Sequence, residues 1–370
     1  MIYMKKVITE ALFPRRQTRL VLVGKVSIGG GAPIVVQSMS KTRTAAVTST
    51  IRQIKRLEKA GCQVVRVAVP ELEDALAIKK IKREIAIPLI ADIHFDPQLA
   101  IVSIESGADG LRINPGTFGS KTRLREVVSL AGERKIPIRV GVNSGSLEKD
   151  LLQKYGRVSA EAMVESALRQ VKLLEDLGFY EIKISIKASD IRRTLEAYRL
   201  LAEKVDYPFH AGITEAGPLL RGSIKSAAGL ALLLQEGLAD TVRVSLTAPP
   251  EKEVEVAYEI LKSLGLSQRG VNFVSCPGCG RSEVDLRNLA SKVEKRIAGI
   301  SANLTVAVMG CPVNGPGEAK EADIGVACGR GIGVIFKKSK IFKKVPESEI
   351  VETLVQEVFQ MAEKVKEEKN

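Results

Sequence analysis

The 370-residue chain has no tryptophan, only 4% aromatic residues and just two histidines, His94 and His210. With 45% hydrophobic residues, its core must therefore be aliphatic, as the cores of parallel β/α architectures are. Long apolar runs are also missing. The longest, Ala227 to Leu234, is too short to span a bilayer, and the basic start from Met1 to Arg19 has no apolar centre of the kind a signal peptide needs. No membrane partner is expected, and the chain reads as cytoplasmic. Its five cysteines, in a reducing compartment, are expected as ligands or buried thiols rather than disulfides. What the chain has in excess is positive charge, with 56 Lys and Arg against 43 Asp and Glu for a net +13. That balance suits an anionic ligand, an acidic partner or nucleic acid. The scarcity of aromatics interleaved with the basic residues argues against nucleic acid, because single strands are held by stacking.

Three of the cysteines are spaced for a metal. Cys276-Pro-Gly-Cys279 puts two thiols on a tight turn, Cys311 follows from a distant loop, and Glu318 in Asn314-Gly-Pro-Gly-Glu318 adds a hard oxygen donor. A Cys-x-x-Cys by itself is as readily a zinc knuckle or a redox dithiol. Neither histidine is nearby to complete a zinc site, a dithiol has no use for Cys311, and Cys328 lies in the apolar run Ile324-Gly-Val-Ala-Cys328, where it reads as a buried thiol. Spacing alone leaves an iron–sulfur cluster and a zinc site both open.

From about residue 31 to 265, eight short β-branched runs alternate with amphipathic helical stretches. The runs are 34–39, 64–69, 88–93, 110–114, 136–142, 181–186, 209–213 and 241–246, and the helices include Val47 to Ala60 and Ala160 to Leu177. Eight β-then-α units predict an α/β fold, a (β/α)8 TIM-type barrel over residues 1–266. Polar residues recur at even steps towards the ends of these runs: Asp92 and His94, Arg112 and Asn114, Arg139 and Asn143, Lys183, Ser185 and Lys187, Arg243 and Ser245, with Arg66 in the second run. Every second residue of a barrel strand points inward and the loops after the strands form the active face, so this shared parity predicts a basic, phosphate-binding mouth. Beyond Leu266 the pattern changes to strands at 271–274, 304–309, 323–327 and 333–336 with helices at 283–297 and 347–363, a smaller α+β module over residues 267–370 that carries the cysteines.

Taken together, Val36-Gln-Ser-Met39, Ala91-Asp-Ile-His-Phe-Asp96, Leu111-Arg-Ile-Asn-Pro-Gly116, Gly141-Val-Asn-Ser-Gly-Ser-Leu-Glu-Lys-Asp150, Ile186-Lys-Ala-Ser-Asp190, Gly212-Ile-Thr-Glu-Ala-Gly217, Cys276-Pro-Gly-Cys279 and Asn314-Gly-Pro-Gly-Glu318 resemble the 4-hydroxy-3-methylbut-2-enyl diphosphate synthase family of the methylerythritol phosphate route to isoprenoids. The resemblance implies a [4Fe-4S] cluster on Cys276, Cys279 and Cys311 with Glu318 as fourth ligand. It implies a cyclic diphosphate substrate, reductive ring opening with loss of water, and single electrons from ferredoxin or flavodoxin. Glu215, next to the mouth, becomes a candidate proton donor or acceptor, and Glu318 a ligand able to leave and open one iron. A head-to-tail homodimer is implied as well, each cluster module capping its partner's barrel. One position departs from the family's pattern: Ser40-Lys41 stands where Thr-Asn is common. The competing expectations are a zinc-stabilised phosphate-ligand binding protein on a barrel scaffold and a ferredoxin-like carrier, which would have no need of an arginine-lined barrel.

Overall fold

In a computed structural model, which describes residues 15–114, 116, 118, 121–311, 317 and 322–367, the chain divides into two compact units between Leu266 and Ser267.

The first unit opens with a hairpin of β1 (Val21–Val23) and β2 (Val26–Ile28), turning at Gly24 in the left-handed region, φ +54°. Eight parallel strands follow: β3 (Val35–Met39), β4 (Val64–Ala68), β5 (Leu89–Asp92), β6 (Gly110–Ile113), β7 (Ile138–Asn143), β8 (Ile182–Lys187), β9 (His210–Ala211) and β10 (Thr241–Val242). They are ordered β8-β7-β6-β5-β4-β3-β10-β9, and a parallel bridge from Ile184 to Phe209 joins the two ends of the sheet. This is the (β/α)8 barrel. Its helices include α1 (Val47–Ala60), α2 (Leu72–Lys82), α3 (Pro97–Glu105), α4 (Lys121–Glu133), α5 (Lys149–Tyr155), α6 (Ala160–Glu175), α7 (Ile191–Ala202), α8 (Leu219–Gln235) and α9 (Pro250–Ser263). Local chemistry fixes their ends. Asp190 caps α7 by accepting from the Arg193 N–H, Asp96 caps α3 ahead of Pro97, and Gly61 stops α1 in a left-handed conformation.

Alternation along the strands separates two environments. Val65, Val67, Leu111, Val140, Val142, Ile184 and Ile186 face the helices and join the main aliphatic core. Their neighbours point into the barrel. At its floor Val35, Val64 and Ile90 meet Val23 and Ile28 of the hairpin, which plugs that end with an apolar cluster. Above this plug the interior positions become polar.

The second unit is a five-stranded sheet ordered β11-β12-β13-β14-β15, from Val271–Ser275, Leu304–Met309, Ile324–Gly329, Ile332–Lys337 and Lys340–Pro346. The first three strands are parallel and the last three antiparallel. Helix α10 (Leu286–Ile297) and a terminal helix, Ile350–Glu367, cover one face through Leu289, Val293, Leu354 and Val358 against Val306 and Val326. Strand β15 is an exposed, lysine-rich edge outside the sequence expectation. Among the described residues, no helix is long and apolar enough to cross a membrane.

Candidate active site

Inside the barrel, above the apolar plug, a cavity of about 200 Å³ is lined by Arg66, Asp92, His94, Arg112, Arg139, Asn143, Lys187, Arg243 and Ser245. These are nine of the ten substrate-binding residues expected from strand parity, and the tenth, Asn114, is not among the lining. Ser185 and Thr214 complete the wall. Ser185 shares the parity of Lys187, whereas Thr214 lies in the loop after β9, where strand parity gives no guidance. Five of the lining residues are basic and one is a carboxylate.

Asp92 organises one side. Its Oδ2 lies 3.4 Å from Arg66 Nε and its Oδ1 3.3 Å from Arg112 Nη1. Burial would push this carboxyl up, but Arg66, Arg112 and Arg139 overcome it and hold Asp92 at about 2, so it is ionised at neutral pH. Arg112 Nη1 also lies 3.0 Å from His94 Nε2, and Arg112 Nη2 donates to the Gly141 carbonyl at 3.2 Å. Gly141 is required for that approach: a Cβ there would stand 2.6 Å from Arg112 Nε. Burial, then the Arg112 charge, lowers the His94 imidazole below its ordinary value.

On the other side no carboxylate lines the cavity among the described residues. Lys187 Nζ is 3.4 Å from His210 Nε2, and His210 Nδ1 is 2.6 Å from Thr241 Oγ1. Burial, and then Arg139, pushes both Lys187 and His210 well below their usual values. Arg139 Nε and Nη1, Arg112 Nε and Arg243 Nε have no hydrogen-bond acceptor among the described residues. Buried guanidinium N–H groups without acceptors are costly, and an anion with several oxygens would satisfy them together.

Glu215 lies in the loop after β9, exposed and outside the cavity lining, with φ +52°. A left-handed backbone at a residue other than glycine is uncommon and is held by its surroundings.

In the second unit, the parallel register Ser275 to Val308 brings the ends of β11 and β12 together. Cys276 follows directly on the first strand and Cys311 lies just past the second. The Gly310 N–H donates to Cys276 Sγ at 3.3 Å. Cys276 is half-buried, Cys311 buried and Cys279 exposed, and none of the five cysteines is in a disulfide. The two remaining thiols differ in kind. Cys328 is wholly buried in the core, and burial raises it to about 11; burial raises Cys62 to about 12. Metals take the thiolate, so these two, kept protonated, are poor ligands. Of the other three thiols, Cys276 and Cys311 stand just past the ends of neighbouring parallel strands, Cys276 Sγ already receives a backbone N–H, and soft thiolates of this kind are the usual ligands of iron–sulfur clusters. Glu318 lies outside the described residues; among those described, no three Cys, His, Asp or Glu side chains are grouped at metal-binding distance.

Comparison with known proteins places this architecture. Residues 18–258 match the model of the GcpE TIM-barrel domain and residues 272–360 that of the GcpE protein C-terminal domain. A protein of Geobacter sulfurreducens named 4-hydroxy-3-methylbut-2-en-1-yl diphosphate synthase (flavodoxin) is 57% identical over 344 residues, covering 93% of this chain and 98% of that protein. Proteins of the same name from Caldanaerobacter subterraneus subsp. tengcongensis and Thermodesulfovibrio yellowstonii are 56% and 55% identical, over 96% and 94% of this chain and 99% of each relative. Among solved structures, a Yersinia pestis dihydropteroate synthase aligns at 10% identity with a TM-score of 0.46, over 66% of this chain and 98% of that one, a likeness too distant to bear on function. With both domain models matched in order and relatives this similar over nearly the full length, the chain belongs to the GcpE family, whose curated members at this identity are enzymes named 4-hydroxy-3-methylbut-2-en-1-yl diphosphate synthase.

Proposed function

We propose that the chain converts 2-C-methyl-D-erythritol 2,4-cyclodiphosphate to (E)-4-hydroxy-3-methylbut-2-enyl diphosphate. Two carbon–oxygen bonds break, one in the ring and one to a hydroxyl, and a carbon–carbon double bond forms. Two electrons supply the difference, and the hydroxyl leaves as water with a proton. The observation that carries this reading is the barrel cavity, where, among the described residues, five Arg and Lys side chains line the wall with a single carboxylate and several guanidinium N–H groups have no acceptor. That imbalance fits a diphosphate, whose oxygens accept bidentate bonds from arginine.

The residues that would hold a [4Fe-4S] cluster are Cys276, Cys279 and Cys311, with Glu318 as the fourth, more exchangeable ligand. When bound, the cluster supplies single-electron transfer and a Lewis-acidic iron. The relatives carry flavodoxin in their names, which supports flavodoxin, with ferredoxin as the other possible donor. This chain's own residues bind and orient. Arg66, Arg112, Arg139, Lys187 and Arg243 neutralise the diphosphate, Asn143 and Ser245 offer hydrogen bonds, and Glu215 exchanges a proton with the substrate.

A cytoplasmic head-to-tail homodimer completes the proposal. Barrel helices run antiparallel to their strands, so α9 ends at the face opposite the cavity, and only the segment 264–270 precedes β11. That short tether supports a cluster module serving the partner's barrel. Anaerobic purification with iron, sulfide and zinc analysis tests the cofactor: iron with sulfide supports the reading, while stoichiometric zinc without sulfide replaces it with a zinc-stabilised phosphate-binding protein.

A further inference from the structure

Lys41, at the position where the sequence departs from the family's pattern, is anchored rather than extended into solvent. Its Nζ donates to the Leu246 carbonyl at 2.7 Å and to the Ala248 carbonyl, and lies 2.9 Å from Glu253 Oε1. These acceptors belong to the loop after β10 and the first turn of α9. One ammonium therefore joins the loop after β3 to the loop after β10.

The carboxylate it meets is 2% exposed and already well supplied with donors. Glu253 Oε1 also accepts the Leu246 N–H at 3.0 Å, and Oε2 accepts the Ser38 hydroxyl at 3.2 Å. Arg243 Nη2 stands 3.9 Å from Oε2, beyond hydrogen-bond reach, and Arg243 Nε has no acceptor among the described residues. Arg243 lines the cavity. The buried carboxylate beside it is thus held by other groups, and the guanidinium is left available.

We propose that Lys41 is a positioning residue for anion binding: by compensating Glu253, it keeps Arg243 directed at the ligand in the barrel cavity. A buried carboxylate that loses its ammonium must find another cation, and Arg243 is the one beside it. A neutral side chain at position 41 can donate a hydrogen bond but brings no charge, so it leaves Glu253 to compete for Arg243. The inference rests on the reading that this cavity binds a diphosphate.

A double-mutant cycle on binding of inorganic diphosphate, followed by calorimetry, tests it. Arg243→Met should weaken binding at least about tenfold, the loss of one charge-assisted contact. Lys41→Met should weaken it about fivefold or more, although Lys41 is not among the cavity-lining residues. The double variant should bind no worse than Arg243→Met alone, because Lys41 acts through Arg243. Lys41→Arg, which restores the charge, should bind within about twofold of the parent and supports the inference even if Lys41→Met fails to fold. Additive losses, or unchanged affinity in Lys41→Met, overturn the inference while leaving the diphosphate site standing. Absence of diphosphate binding in the parent removes both.

Discussion

Arg139 and Lys183 sit opposite each other in register on β7 and β8, each 1% exposed, and neither Arg139 Nε and Nη1 nor Lys183 Nζ has a hydrogen-bond partner among the described residues. Two buried cations side by side without a carboxylate between them do not stabilise a fold. Burial, and then the Arg139 charge, pulls the Lys183 ammonium from 10.5 down to about 7. Below about 7 both folded and unfolded chains carry the proton and the folded state bears the full cost; between about 7 and 10.5 only the unfolded chain is protonated, so stability rises with pH and the cost fades. Lys183→Met should therefore be more stable than the parent by about 1–3 kcal/mol near neutrality and below. Urea unfolding at a series of pH values checks this. The gap should shrink as pH rises towards 10.5, and a pH-independent gap would show that Lys183 is not the titrating group.

Arg112→Ala and Arg139→Ala should weaken substrate binding by about 1.5–3 kcal/mol each, the value of a hydrogen bond to a charged group. Both residues belong to the barrel unit, so iron content should be unchanged. Michaelis constants and iron analysis on the same preparations read both effects, and an unchanged Michaelis constant in both variants would remove them from the site.

The cysteines divide by environment. Cys276→Ser, Cys279→Ser and Cys311→Ser should each lose iron and activity. Cys62→Ser and Cys328→Ser should keep both, since burial keeps these thiols protonated. Visible absorption of anaerobically purified protein gives the readout. Loss of the cluster in Cys328→Ser, with retention in a Glu318→Ala protein, would mean that Cys328 is the fourth ligand.

The homodimer proposed above, with a site shared between chains, makes a prediction about mixtures. An inactive Cys311→Ser protein combined with an inactive Glu215→Ala protein should regain part of the activity, through heterodimers that carry one intact site. If subunit exchange is demonstrated and no activity returns, each chain must serve its own barrel.

Much of this was readable from residue order. The periodicity predicts α1 at Val47–Ala60 and β12 at Leu304–Met309 with the bounds observed. The parity of polar residues in the barrel strands leads to the cavity because side chains alternate at every step and the apolar plug leaves only the upper interior positions free for charge. The reading weakens where the signal is short or tertiary. The β1–β2 hairpin consists of two three-residue strands, too brief for a period, and β15 places Lys340, Lys343 and Lys344 on an exposed edge whose residues carry no apolar alternation to mark a strand. Strands β9 and β10 have only two ladder residues each, so Arg243 and Ser245 reach the cavity from beyond the last pair. The role of Lys41 depends on Glu253, more than two hundred positions away, and no local window contains both.

The central claim is reductive opening of a cyclic diphosphate, and anaerobic turnover with a stoichiometric one-electron donor measures it most directly. Protein holding iron and sulfide, given reduced flavodoxin and 2-C-methyl-D-erythritol 2,4-cyclodiphosphate, should oxidise two flavodoxin equivalents for each hydroxymethylbutenyl diphosphate formed. Cluster-loaded protein that binds the cyclic diphosphate yet consumes no electrons and releases no such product would contradict the account.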